Sequence, residues 1–99
     1  MNYHFMIDEK FTDDFIANAE RYAPGNNIYL VTLYTPKPRF TKSPLIIYQK
    51  SVKKYWFSQI APHLNSTDQV FIHWLDRRVY DIVLSLPIGI NVGIFSWMG

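Results

Sequence analysis

The chain has 99 residues, a formal charge of +2, 48% hydrophobic and 17% aromatic residues, and no cysteine. This allows one domain with one modest core, and it excludes a disordered chain, a disulfide framework and a cysteine-based zinc site. The charge leaves no dense basic face for nucleic acid, and no apolar stretch approaches the roughly 20 residues of a membrane-spanning helix.

Residues 3–7 form a short apolar run and predict the first strand, closed by Asp8, Glu9 and Lys10. Thr12 then stands where a hydroxyl can accept from free helical amides. Asp13 and Asp14 follow in the first turn, where their charge suits the positive helix end. Phe11, Phe15, Ile16, Ala19 and Tyr22 keep helical spacing and predict one apolar face; Pro24-Gly25 stops the helix. Residues 27–34 are nearly continuous in apolar and β-favouring side chains, the pattern of a parallel strand covered on both faces.

Residues 35–43, with Pro36, Lys37, Pro38, Arg39 and Lys42, read as an exposed loop, and residues 45–48 as a short edge strand. Ser51 is placed to cap a second helix carrying Val52, Tyr55, Trp56, Gln59 and Ile60 on one face, with Pro62 at its end. Residues 69–75 predict the fourth strand. Asp76 is placed to cap a third helix with Val79, Ile82, Val83 and Leu86 inward, ended by Pro87 and Gly89. Residues 91–98 predict the fifth strand.

Strands separated by helices predict an α/β, Rossmann-like fold. The expected sheet is five-stranded and mainly parallel, in the order 3-2-1-4-5, with right-handed crossovers and helices on both faces. No helix separates the second and third strands. That pair is antiparallel if the proline loop is a hairpin and parallel if the loop crosses over. The last strand is apolar enough to need cover on both faces. Residues 1–99 therefore read as a single domain and as the amino-terminal half of a larger protein.

In open parallel sheets, ligands bind outside the carboxyl ends of the strands, near the reversal of strand order. Asp8, Glu9 and Lys10 follow the first strand, and His73, Trp74, Asp76, Arg77 and Arg78 the fourth. Central first and fourth strands would bring Asp8, His73 and Arg77 toward one another. His73 interrupts an apolar strand. It reads as a base, proton shuttle or hydroxyl-binding group, or as a core histidine with a hydrogen-bond partner. His4 carries the same ambiguity, and His63, at a helix end, reads as solvated. Asp8 and Glu9 suit paired acid/base work, or simply favourable charge at a helix start. Arg77-Arg78 suits phosphate oxygens, or an ordinary solvated surface. Lys50, Lys53 and Lys54 form a basic patch that suits anionic lipid or an ordinary polar face. The chain contains no Gly-x-Gly-x-x-Gly, no zinc or calcium ligand spacing and no Gly-x-Ser-x-Gly elbow.

Three stretches together resemble the start of a bacterial glycosyltransferase group: residues 3–11, residues 70–74 leading into a helix, and Phe95-Ser96-Trp97-Met98-Gly99. The pattern is similar to the amino-terminal half of 4-alpha-L-fucosyltransferase-like enzymes, which add an acetamido-fucose to a lipid-linked sugar. In that family an apolar-apolar-His strand end leads into a helix, and a later strand ends in a Trp-Gly-type segment. His73 and Trp97 match those positions, and Met98 departs from the expected glycine. The resemblance implies the first Rossmann-like half of a GT-B enzyme, cytoplasmic or peripheral at the inner membrane face. This half would bind a saccharide or lipid-linked acceptor, and a second domain would bind the nucleotide-sugar donor. His73 and Asp8 would be catalytic, and Glu9, Lys10, Arg77 and Trp97 would bind substrate. No metal and no cofactor are implied, and the 99-residue piece would be inactive alone. The rival expectation is a non-catalytic α/β interaction module that forms a homodimer through its last strand.

Overall fold

Five strands form one parallel sheet in the computed structural model, which describes residues 1–94. β1 (Asn2–Ile7) is central. β2 (Asn27–Thr32) and β3 (Ile46–Gln49) lie to one side of it, and β4 (Gln69–Ile72) and β5 (Asn91–Ile94) to the other. The order is β3-β2-β1-β4-β5, and every pairing is parallel, as the alternation of strand and helix predicts. The open question of β3 resolves as parallel. Residues 33–45 do not make a hairpin; they cross the start of α1 (Thr12–Tyr22) on their way to the sheet edge.

Side chains alternate across a strand, so each strand serves two layers. Tyr3, Phe5, Leu30, Val70 and Ile72 face α2 (Val52–Tyr55) and α3 (Arg77–Leu84). Met6, Tyr29, Val31 and Ile46 face α1, where Ile16 is 2% exposed. Helices thus cover both faces. A right-handed crossover dictates this, because β1–β2 and β4–β5 step in opposite directions across the sheet. Trp56 anchors the first layer, edge-on to Tyr3 at 5.4 Å and tilted against Phe5 at 5.2 Å. Burying a ring of that size contributes about 4–6 kcal/mol before entropy is counted.

The structure departs from the sequence expectations at element ends. β2 stops at Thr32 rather than residue 34, and β4 at Ile72 rather than residue 75. β2 is released where both neighbours end, since Thr32 pairs with Ile7 and Gln49, the last residues of β1 and β3; β4 stops with Ile72 opposite Phe5, two residues before β1 ends. Thr12 does not cap α1. The cap position is Phe11, and the buried Thr12 hydroxyl donates to the Ile7 carbonyl at 2.8 Å, tying the helix to the end of β1. Phe11 and Tyr22, expected inward, are exposed, since α1 lays only its middle turns on the sheet.

Ser51 and Asp76 do cap α2 and α3, accepting from the amides of Lys54 and Val79. The second helix keeps α geometry for only four residues; Trp56–Ile60 is a π segment and Ala61–His63 a 3-10 turn. Pro62 has no amide hydrogen to give back to Ser58, which favours the looser spacing. The fifth strand is described only as far as Ile94, and the expected continuation through residues 95–98 lies outside the described residues.

Candidate functional site

β1 and β4 are adjacent, and the chain leaves them in opposite directions, so the strand order reverses between their carboxyl ends. A cavity of about 70 Å³ lies there, lined by Met6, Ile7, Glu9, Thr12, His73 and Trp74. That is room for a few water molecules or a hydroxymethyl group. Three polar side chains line it: Thr12, whose hydroxyl is bound to the Ile7 carbonyl, Glu9 and His73. Glu9 has a buried carboxylate oxygen, Oε1, with no hydrogen-bond partner among the described residues. His73 follows the last residue of β4, and its amide donates to the Phe5 carbonyl at 2.9 Å, which fixes its backbone against β1.

The His73 ring is 4% exposed and reaches the cavity from within the α1 layer. Its Nε2 lies 3.1 Å from Nδ1 of His4, and the Phe15 ring from α1 packs edge-on against it at 4.3 Å. His4 is sandwiched in register between Tyr29 of β2 and Phe71 of β4, with ring centroids 5.0 and 5.1 Å away and nearly parallel planes. Those separations match the spacing of neighbouring strands, so the stack follows directly from pairing aromatic residues across a parallel sheet. Phe71 in turn lies against Gly93 of β5. A Cβ on Gly93 would sit 2.9 Å from the Phe71 ring, so the ladder needs a glycine at that position.

On its other side His4 Nε2–H donates to Asn27 Oδ1 at 3.0 Å. The Asn27 amide nitrogen faces only acceptors: the Ala23 carbonyl at 2.8 Å, the Glu20 carboxylate at 2.9 Å and the Ala19 carbonyl at 3.4 Å. Those three acceptors turn Oδ1 toward His4. Glu20 also accepts from the Tyr29 hydroxyl at 2.7 Å, so imidazole, amide, carboxylate and phenol form one row beneath α1.

Burial holds both imidazoles in the neutral form. Burial and the neighbouring His4 lower the His73 pKa to about 4. Burial also lowers His4, while the Asn27 hydrogen bond and the Glu20 charge act against that shift. Glu20 lies below the usual carboxylate range because Tyr29, Gly25 and Asn27 all donate to it. Burial, with the same carboxylate adding to it, pushes the Tyr29 phenol up.

The other residues singled out from the sequence fall elsewhere. Asp8 does not join His73 and Arg77. Its carboxylate accepts from the amides of Arg39, Phe40 and Thr41 and from the Thr41 hydroxyl, and so holds the proline loop. Burial would raise the Asp8 carboxyl, but those bonds outweigh it and leave it below the usual range. Arg77 lines an open groove of about 410 Å³ with Asp76 and Tyr80, apart from the Glu9–His73 cavity. Lys10 is exposed, with its ammonium 5.0 Å from the Phe11 ring centroid. Trp97 lies outside the described residues. His63 is exposed, as read from the sequence.

Sequence reasoning passed over Asn27, read Thr12 only as a helix cap, named Trp74 at the strand exit without a role, and underrated His4. A usable signal existed for His4. It and His73 are the only histidines in predicted strands, and the strand alternation puts both on the face opposite Phe5 and Ile72.

Among the described residues, no three His, Asp or Glu side chains gather as a metal site, and no helix is long and apolar enough to cross a membrane. Comparison with family models, curated proteins and solved structures finds no match to this chain.

Proposed function

We propose that this domain is the acceptor-side lobe of a sugar transferase. The enzyme would move a deoxy-amino sugar of the fucose type from a nucleotide-sugar, held by a second lobe, to a saccharide or lipid-linked acceptor. The observation that carries the reading is the meeting of Glu9 and His73 in one cavity at the reversal of strand order. A parallel α/β sheet presents ligands there. The paired groups suit a sugar: one hydroxyl donates to the buried Glu9 oxygen, and the reacting hydroxyl gives its proton to the imidazole. Its oxygen then attacks the anomeric carbon of the donor as the bond to the nucleoside diphosphate breaks and that group leaves. The resemblance of residues 3–11 and 70–74 to the fucosyltransferase-like group points the same way. The reading places the protein in the cytoplasm, against the membrane face where a lipid-linked acceptor lies.

Glu9 takes the carboxylate role in place of Asp8, whose oxygens hold the loop. Arg77, in its neighbouring groove, remains available to an acceptor phosphate.

One observation favours a second reading, a non-catalytic α/β module: His73 is 4% exposed and packed beneath Phe15 and beside His4. Amide chemical shifts separate the two. Titration with a saccharide pyrophosphate should move Glu9, Thr12, His73 and Trp74 and leave β3 still, while a free nucleotide-sugar should move none of them. Unmoved cavity residues at millimolar saccharide, together with a concentration-dependent dimer in light scattering, overturn the transferase reading. In the gene, a reading frame that continues past Gly99 into a second α/β half supports it, and a stop codon at that point opposes it.

A further inference from the structure

We infer that His73 and His4 act as one two-ring base, in which a proton taken up from the cavity leaves its positive charge on His4 rather than on His73. This deepens the transferase reading and rests on it for the source of the proton. The ring arrangement itself is independent of that reading.

The chain of donors fixes the tautomers. The three acceptors around Asn27 Nδ2 leave Oδ1 as the group facing His4. His4 must therefore carry its proton on Nε2, and a neutral His4 then presents a lone pair at Nδ1. The ring nitrogen 3.1 Å from that lone pair is His73 Nε2, which must be the donor. A neutral His73 consequently keeps its lone pair on Nδ1. Each ring is locked by the next, and Asn27 sets the direction of the whole row.

The step balances as one proton moved. A hydroxyl in the Glu9 cavity gives its proton to His73 Nδ1. The Nε2–H bond of His73 breaks, and that proton bonds to His4 Nδ1. His73 ends neutral in its other tautomer, and His4 ends as imidazolium with hydrogens on both nitrogens. The charge is better placed there. His4 keeps its bond to Asn27 Oδ1, and the Glu20 carboxylate stands just beyond that amide. The order of the pKa shifts agrees: His4 itself pushes His73 down, while Asn27 and Glu20 push His4 up against burial.

The groups facing the pair from each element are Glu20 and Phe15 of α1, Asn27 and Tyr29 of β2, Phe71 of β4, and Glu9 after β1. The carboxyl groups among them are Glu20 and Glu9, and only Glu20 joins the row on the His4 side. His4 and Asn27 are thus positioning residues, and His73 is the group that meets the substrate.

Imidazole nitrogen NMR on the 99-residue chain tests this without any substrate, with His63→Gln removing the third histidine. At pH 7.5 both rings should be neutral with the hydrogen on Nε2, and on acidification His4 should protonate before His73. Asn27→Asp, which keeps the acceptor and adds charge, should raise the proton affinity of His4 about tenfold or more. If that variant fails to fold, Glu20→Gln should lower the same affinity about threefold and leave the His73 tautomer unchanged. A neutral His73 with its hydrogen on Nδ1, or a His73 that protonates first, overturns the inference. A chain that shows the expected tautomers but binds no saccharide overturns the transferase reading alone.

Discussion

Thr41 gives both its amide and its hydroxyl to the same carboxylate oxygen of Asp8, each at 2.8 Å, across 33 positions of sequence. With the Arg39 and Phe40 amides on the same carboxylate, and the Lys42 and Ser43 amides on Asp13, five consecutive backbone donors of the loop are held by two side chains. That clamp makes possible a parallel β2–β3 connection with no helix. Asp8→Ala should cost about 2 kcal/mol, because donors at the surface recover part of the loss from water. Urea unfolding reads the cost. Limited proteolysis should cut the variant within residues 33–45 before the wild type is cut anywhere. Equal stability and equal cleavage would mean the clamp contributes nothing.

Acid should destabilise the protein in a defined window. The folded His73 pKa of about 4 lies below the 6.5 of the unfolded chain, so the unfolded state binds more protons between those values. Stability is therefore full above pH 6.5 and falls as pH drops toward 4, by about 3 kcal/mol for this ring. His4 adds a smaller loss in the same direction. Chemical denaturation from pH 7.5 to 4 reads the slope, and His73→Gln, which retains a donor toward His4, should flatten it. An unchanged slope in that variant would assign the acid sensitivity elsewhere.

Gly93 and Phe71 should show energetic coupling. A methyl at Gly93 would stand 2.9 Å from Phe71 Cδ1, and a ring stacked on His4 has little room to retreat. Gly93→Ala should cost about 1–2 kcal/mol by overpacking, and less in a Phe71→Leu background. A double-mutant cycle on unfolding free energies measures the difference. Additive losses would show that the ring moves aside without cost.

Removing one hydroxyl should loosen the far end of the polar row. Tyr29→Phe takes away the 2.7 Å bond to Glu20 and should raise the Glu20 carboxyl toward its ordinary value. The stability loss should be about 1 kcal/mol at pH 7 and disappear once Glu20 is protonated. Carboxyl carbon NMR of Glu20 gives the titration directly. An unshifted Glu20 would mean that Gly25 and Asn27 alone hold it down.

The sequence by itself determined the layer architecture. Apolar runs interrupted by helical periods state which segments bury both faces and which bury one. The handedness of crossovers then leaves few arrangements, and 3-2-1-4-5 is among them. Ser51 and Asp76 were legible as caps because capping is a local affair of three residues. What only the tertiary structure decided was which polar groups meet. Asp8 and Glu9 are neighbours in sequence, yet one faces a loop folded back from residues 39–41 and the other a cavity beside β4. His4 and His73 are 69 residues apart and touch because β1 and β4 pair in one register, with α1 closing over them. Local spacing carries no record of such encounters, since they depend on strand pairing and on packing across a whole layer.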